Sequence, residues 1–479
     1  VDAANYFTSA FPRDIATTVN LDFCPGDKMK SMTQKLCCHI AVCAIILTGF
    51  LCAPPGRALA DQIPAGWEAS NMKPIGYSDL GGHEAFKMAI KHVGDHWYLY
   101  MGHFVANGWS IVDVTDPTNP KVVKFIPGPT PTSAGQIDLH DNLMITPLQD
   151  RAGYGGDPNK KVIEGVLLWD ISNPVGPEQL AWWKTGATGT HRDGYPGGKY
   201  AYLSAGMPGY KGQILVILDV SDPAHPKEAG RWWMTGQKEG EPPMPAPIYG
   251  FHGPAVIDGD RAYLGYSPAV VILDISDISK PKLIGQLTVS PPFGTGIPVH
   301  DVMPIPGRNL LFAHAEGTGG GDSPTGVLAC QGADFLVGLV DIQDPTKPKL
   351  ISTFPTPVPP ANAPYKDFCD KGGRFGPHNT NILQHNPDVE KQGDLIYLTY
   401  FNAGLRIYDT KDARLPKEVG WFIPPTPTVR RMPAPYDKLV SQTEDVLVDT
   451  RGNIYITNKQ WGLFILKYTG PGEPAPTAR

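Results

Sequence analysis

Cysteine is scarce in this chain, blocks of like charge are missing, and no apolar run is long enough to cross a bilayer with ease. Seven of the 479 residues are cysteine, and Cys24, Cys37, Cys38, Cys43 and Cys52 all fall within the first sixty. Beyond them only Cys330 and Cys369 remain. An even pair in an exported chain reads as a disulfide, the other use being two metal ligands. Paired, they leave no thiolate for catalysis. The formal net charge is -6 and no basic block appears beyond Arg430-Arg431, so the electrostatic footprint of a nucleic-acid binder is absent. The apolar run from Ile40 to Leu51 is short for a membrane span.

That run fits a secretory signal instead. Lys28, Lys30 and Lys35 precede it and Ala58-Leu59-Ala60 supplies a small-residue cleavage pattern. Met29 or Met32 reads as the natural start, residues 1–28 as upstream sequence carried along by a misplaced start, and residues 29–60 as the signal peptide. Cys52 follows Gly49-Phe50-Leu51, which lacks the small residue expected before a lipid-modified cysteine. The expected location is periplasmic or secreted, with no stable membrane insertion after signal removal.

What is present is a repeat. Glycine at 53 and proline at 50 mark frequent turns, while 41% hydrophobic content suffices for a core. One phrase, an apolar strand ending in Asp, an Asp/Pro turn and a short strand, recurs from Trp109, Val166, Leu215, Val270, Val337 and Leu405. A partial copy from Gly462 has Lys467 where the others have Asp113, Asp170, Asp219, Asp274, Asp341 and Asp409. Asp side chains bond backbone two residues on and Pro fixes φ, so these aspartates read as turn builders. Periodic four-stranded units predict an all-β, seven-bladed propeller over residues 61–479 as one domain. Met72-Lys73-Pro74-Ile75-Gly76 matches the fourth-strand phrase Lys280–Gly285, so an N-terminal strand is expected to complete the last blade and remove an open sheet edge.

Phrases such as Ile217-Leu218-Asp219-Val220-Ser221-Asp222-Pro223 resemble the LVIVD repeat of secreted bacterial propellers, over nearly all of residues 72 to 468. The resemblance implies the fold and is nearly silent on function, because a propeller hosts many chemistries.

Register within the repeat carries the functional signal. His191 precedes Ala201-Tyr202-Leu203 by ten residues, and His252, His300 and Glu444 precede Ala262, Leu310 and Ile454 by the same interval. His378 joins them if His385 to Gln392 is an insertion before Ile396-Tyr397-Leu398. Lys87 and Ser133 take this register in the first two units. Equal register means equal depth around an axis, so His191, His252, His300 and His378 are expected to converge on a metal, iron or copper. Neutral imidazole suits these ions and metal-bound histidines need carboxylates behind them. Glu444 would orient a ligand or act as acid or base, and Lys87 would stabilise developing negative charge.

Secondary candidates are His83, His103 and His314, with Asn402, Lys459 and Trp461 in neighbouring loops. His140, His225 and His385 fall in turns or at the outer edge, and His92 and His96 on or after a first strand; all five read as structural. The loop from Ala315 to Phe335 reads as a lid, stapled by a Cys330–Cys369 bridge to the loop 355–377.

Two analogies bear on the chemistry. The layout resembles carotenoid-cleaving oxygenases, seven-bladed propellers that hold non-haem iron with four axial histidines, although their sequence phrases are absent here. Thr443-Glu444-Asp445-Val446-Leu447 followed by Asn453-Ile454-Tyr455 looks like the last blade of selenium-binding proteins with methanethiol oxidase activity. The expected function is an exported metal-dependent oxidoreductase acting on a small molecule. The alternatives are a non-catalytic periplasmic or cell-surface binding propeller whose histidines line a channel, and a metal-assisted hydrolase, lyase or isomerase.

Overall fold

The computed structural model describes residues 61–129, 132–149, 163–242, 250–289, 297–317, 335–432 and 438–472. The expected signal segment lies outside them. Among the described residues, no helix is long and apolar enough to cross a membrane.

The chain is an all-β propeller. Five antiparallel sheets have four strands each. The first runs through Met88–Val93, His96–His103, Gly108–Asp113 and Lys121–Pro127, and the second through Asp138–His140, Leu143–Leu148, Gly165–Asp170 and Glu178–Trp183. A third comprises Ile297–Pro304, Leu310–Glu316, Val337–Asp341 and Lys349–Thr353. In the fourth, Leu395–Thr399, Leu405–Asp409 and Lys417–Ile423 are joined at the outer edge by Glu68–Ser70. The fifth joins Thr443–Val448, Ile454–Asn458 and Gly462–Tyr468 to Met72–Ser78, which pairs from Met72 opposite Tyr468 to Ser78 opposite Leu463.

Seven separate four-stranded sheets were expected, and five are found among the described residues. The remaining strands, from Gly189 to Thr288, form one nine-stranded sheet. A single parallel rung, Gln213 opposite Gly250, welds two meanders together there. Gly250 has φ +79°, and a Cβ on it would lie 2.1 Å from the Gln213 carbonyl oxygen, so only glycine permits the weld.

The recurring aspartates build turns as the phrase predicts. Asp113, Asp219, Asp274 and Asp341 each accept a backbone N–H two residues on, from Thr115, Ser221, Ser276 and Gln343. The next aspartates, Asp116, Asp222, Asp277 and Asp344, repeat the device onto Thr118, Ala224, Ser279 and Thr346. The strand after each turn then bulges at a common rung, shown by register shifts at Ile111/Val112, Ile217/Leu218, Ile272/Leu273, Leu339/Val340 and Ile407/Tyr408. A bulge bends the outer strand and increases its twist.

The glycine after that bulge explains how neighbouring units nest. A Cβ on Gly230 would lie 1.9 Å from the Ile278 carbonyl oxygen, on Gly285 2.3 Å from that of Pro345, and on Gly76 1.9 Å from that of Pro117. Each glycine thus receives the Asp/Pro turn of the next unit. For Gly76 the next unit is the first sheet, so this contact closes the ring.

The second and third strands are buried on both faces and read as continuous apolar runs; Leu203, Ile217, Leu264, Ile272, Leu339 and Ile407 have no exposed surface. Burying one such side chain contributes about 1.5–3 kcal/mol. The first strands of neighbouring units contact one another and lie innermost, and the register residues fall in or near them.

Candidate functional site

Backbone pairing sets the depth of the histidines. The N–H of His191 donates to Ser204 O at 2.8 Å, that of His252 to Gly265 O at 2.9 Å, and that of His378 to Thr399 O at 2.9 Å. His300 lies inside the strand Ile297–Pro304, where pairing shifts register between Ile297 and Asp301. Its carbonyl packs against Gly265, where a Cβ would sit 2.0 Å away. The missing side chain lets one sheet approach the next closely enough for the rings to touch.

The four imidazoles form a continuous arc. Ring centroids are 4.6 Å apart from His191 to His252, 4.6 Å from His252 to His300, and 5.2 Å from His300 to His378. All four residues are buried. The common neighbour of His252, His300 and His378 is Glu316, which the register argument missed. Nε2 of His252 lies 3.5 Å and Nε2 of His300 3.3 Å from Glu316 Oε2, and Nε2 of His378 lies 4.0 Å from Oε1. One donor atom each from His252, His300 and Glu316 fall within 4.8 Å of one another.

Oxygen atoms behind the rings fix their tautomers. His191 Nδ1 is 2.8 Å from Gln149 Oε1, His300 Nδ1 is 3.0 Å from Asp301 Oδ1, and His378 Nδ1 is 2.7 Å from Glu444 O. Each oxygen requires the proton on Nδ1, which leaves Nε2 of a neutral ring as a lone pair. For His300 and His378 that lone pair faces the Glu316 carboxylate.

Charge states agree with this arrangement. Burial lowers His300 to about 4, opposed by Asp301, and holds His378 well below the usual histidine range, opposed by Glu316. Burial works against ionisation of Glu316, yet the Arg374 guanidinium holds its carboxyl below the usual range. Arg374 bonds Glu316 and the Gly317 carbonyl, and lies 4.1 Å over the Phe401 ring.

Arg192 crosses the interior beneath the arc. Nη1 is 2.6 Å from Asp301 Oδ1 and Nη2 donates to Asn379 Oδ1 at 2.7 Å. Nη1 is also 3.0 Å from both nitrogens of His300. No single N–H in the ring plane can meet both nitrogens at that distance, so the guanidinium lies over the imidazole face and the His300 nitrogens keep their carboxylate neighbours. Burial opposes the Asp301 charge as well, but Arg192 and His300 hold that carboxyl well below its usual range.

Glu444 stands behind His378, with Oε2 3.3 Å from Nδ1 and Oε1 2.8 Å from Lys459 Nζ. Burial pushes its carboxyl up against the pull of Lys459 and Arg374. Lys87 is turned to Asp445 at 2.9 Å, and the other oxygen of Asp445 accepts the Met88 N–H. Its ammonium is committed to a buried pair instead of the Glu316 cluster. Ser133 pairs through its backbone with Gln149, the residue that anchors His191.

Of the secondary candidates, His314 reaches the cluster, with Nε2 3.5 Å from Asp301 Oδ2. His83 and His103 pack on each other at 5.6 Å and on Phe125. Both nitrogens of His103 are satisfied, by Glu84 O and by Ser110 Oγ, and burial lowers it to about 4. Asn402 donates to the Phe368 and Gly372 carbonyls, and Trp461 to Pro425 O, so both brace loops. His385 meets Asp138 at 3.1 Å, His92 stacks on Trp97, and His225 sits on exposed Asp222. Cys369 is disulfide-bonded; Cys330 and residues 318–334 of the expected lid lie outside the described residues.

The nested meanders, the ring-closing Met72–Ser78 strand and the inward first strands define a β-propeller. It carries LVIVD repeats: the LVIVD repeat model matches residues 97–125, 197–233 and 256–289. Similar solved structures include a functionally unknown protein from Desulfotomaculum acetoxidans, at 12% identity over 71% of this chain and 86% of that one with a TM-score of 0.43. A protein from Lactobacillus plantarum is similar at 11% identity over 81% and 98%, TM-score 0.45. The WD40 β-propeller domain of Doa1 is similar at 8% identity over 84% and 98%, TM-score 0.42. No curated protein matches the chain.

Proposed function

We propose that this chain is an exported, seven-bladed binding propeller whose inner face holds a divalent transition-metal ion. The blade count takes the nine-stranded sheet as two blades, Gly189–Trp232 and Val256–Thr288, joined by the Gly250 rung. His252, His300 and Glu316 would hold the ion, with His378 and His191 as adjoining donors.

The observation that carries the reading is the orientation of His300 and His378. Their Nδ1 protons are held by oxygen, so two Nε2 lone pairs point at a buried carboxylate, at 3.3 Å and 4.0 Å. Lone pairs facing an anion repel unless a cation lies between them. The donor set fits the group: imidazole nitrogens with one carboxylate suit iron, copper, zinc or nickel. Such an ion would supply Lewis acidity or electron transfer. Gln149, Asp301 and the Glu444 carbonyl orient the rings toward it.

Oxidation of a small molecule is the second reading, favoured by a donor set without thiolate. Export is supported by the signal-like segment at residues 29–60 and by the disulfide at Cys369.

Metal analysis of protein purified without chelators tests the proposal. About one transition-metal ion per chain is expected for the wild type and none for Glu316→Gln. Metal-free wild type that takes up no iron, copper, zinc or nickel on reconstitution would refute it.

A further inference from the structure

Four ion pairs stand around the arc, each neutral in sum before any ion is counted. Arg374 pairs with Glu316, Lys459 with Glu444 at 2.8 Å, Arg192 with Asp301 at 2.6 Å, and Lys87 with Asp445 at 2.9 Å. None of these eight side chains is more than 14% exposed. His191, His300 and His378, with Nδ1 held by oxygen, add no charge. A divalent ion at His252, His300 and Glu316 therefore brings positive charge that these four pairs do not offset. Unpaired charge in a site with little water is costly.

The cations differ in where they stand. Lys87 and Arg192 are 4% and 2% exposed, whereas Arg374 and Lys459 each keep 14%. Those two bracket one aromatic ring: Arg374 Cζ is 4.1 Å and Lys459 Nζ 5.8 Å from the centre of Phe401, which itself stacks on His378 at 4.6 Å. Phe86 closes the same corner, 5.9 Å from Lys459 Nζ and 5.7 Å from the His378 ring. The two more exposed cations thus flank an aromatic floor beside His378.

We propose that the external ligand of the centre is a small anion, a carboxylate or other oxyanion, bound beside His378 and flanked by Lys459 and Arg374. This rests on the metal reading above. The anion supplies the negative charge that the protein withholds, and the guanidinium and ammonium orient it through charge-assisted hydrogen bonds. Neutral ligands of the same size leave the excess charge in place and bind weakly. Lys459 is the cleaner probe of the two cations, because Arg374 also holds the proposed ligand Glu316.

The test uses cobalt(II) as a spectroscopic ion in the mature protein, titrated with sodium acetate, sodium phosphate and, as neutral control, ethylene glycol. The expected result is a saturable change in the visible cobalt bands with acetate or phosphate and none with glycol. Lys459→Met weakens acetate binding about tenfold or more, the loss of a hydrogen bond to a charged group, and Lys459→Arg restores it. Failure to bind cobalt overturns the metal reading. Cobalt binding with no saturable response to either anion overturns the anion proposal alone, and so does a glycol response equal to that of acetate. If Lys459→Met does not fold, the wild-type comparison of anion with glycol still decides the question.

Discussion

His191, His252, His300 and His378 pack ring against ring, the last three around one carboxylate, whereas His140 and His385, at the far end of the first strands, stand 6.1 Å apart between ring centroids. Each of that second pair meets a carboxylate of its own, Asp141 at 3.2 Å and Asp138 at 3.1 Å. A cavity of about 440 Å³ opens there, lined by Lys91, His92, His140, Asp141 and Asp388 among others. Both regions therefore combine imidazole with carboxylate. They differ in what stands behind the rings: oxygen holds Nδ1 of His191, His300 and His378 and aims Nε2 inward, while His385 spends Nε2 on Asp138. Anchoring of the back nitrogen, more than histidine content, separates a candidate ligand set from a structural pair.

The sharpest break in this comparison is a pair of substitutions. Glu316→Gln is expected to abolish stoichiometric metal binding, measured by equilibrium dialysis, whereas His385→Ala leaves it intact. Equal loss in both variants would erase the distinction between the two regions.

Arg192→Met comes next in size. It strands Asp301, whose side chain has no exposed surface, and removing one partner of a buried pair costs about 3–5 kcal/mol. Urea unfolding of the metal-free protein reads this directly, and a change under about 1 kcal/mol would show that the guanidinium is replaceable.

His103 supplies a pH test away from the arc. Burial lowers its folded value to about 4, below the ordinary 6.5, so the unfolded chain takes up the proton first as pH falls. Its contribution is present in full above about pH 6.5 and is lost as pH drops toward 4, by about 3 kcal/mol in all. His103→Gln should flatten that slope in the metal-free protein.

Gln149→Leu removes the anchor of His191, an adjoining donor, and should weaken metal binding by no more than about tenfold, the low end of what losing a hydrogen-bond partner behind a direct ligand costs. Asp222→Ala touches only a surface turn, and is expected to cost about 1 kcal/mol or less while leaving metal affinity unchanged.

Much of this was legible in the sequence because it repeats. The Asp/Pro turns, the pairing of Met72–Ser78 with Gly462–Tyr468 and the shared depth of His191, His252 and His378 all follow from copies of one phrase. The weld at Gly250 did not, since it depends on one glycine outside the phrase approaching Gln213. Glu316, Arg374, Asp301 and Arg192 were missed for a related reason: each acts across sheets, Arg192 reaching Asp301 and Asn379 from a distant unit, and no repeat position marks them. A signal for Glu316 existed. It lies two residues beyond His314, so on a strand with a period of two its side chain leaves the same side of the sheet as that secondary candidate. The assignment of Lys87 to chemistry rested on register alone, and its partner Asp445 sits beside Glu444 in another unit.

Anomalous X-ray scattering from crystals of metal-loaded protein, collected at the absorption edge of the ion, tests the central claim most directly. The account predicts one peak about 2.0–2.2 Å from the Nε2 atoms of His252 and His300 and within bonding reach of a Glu316 oxygen. A map with no peak among these atoms, from protein soaked in excess metal and with the imidazoles still turned to Glu316, would contradict it.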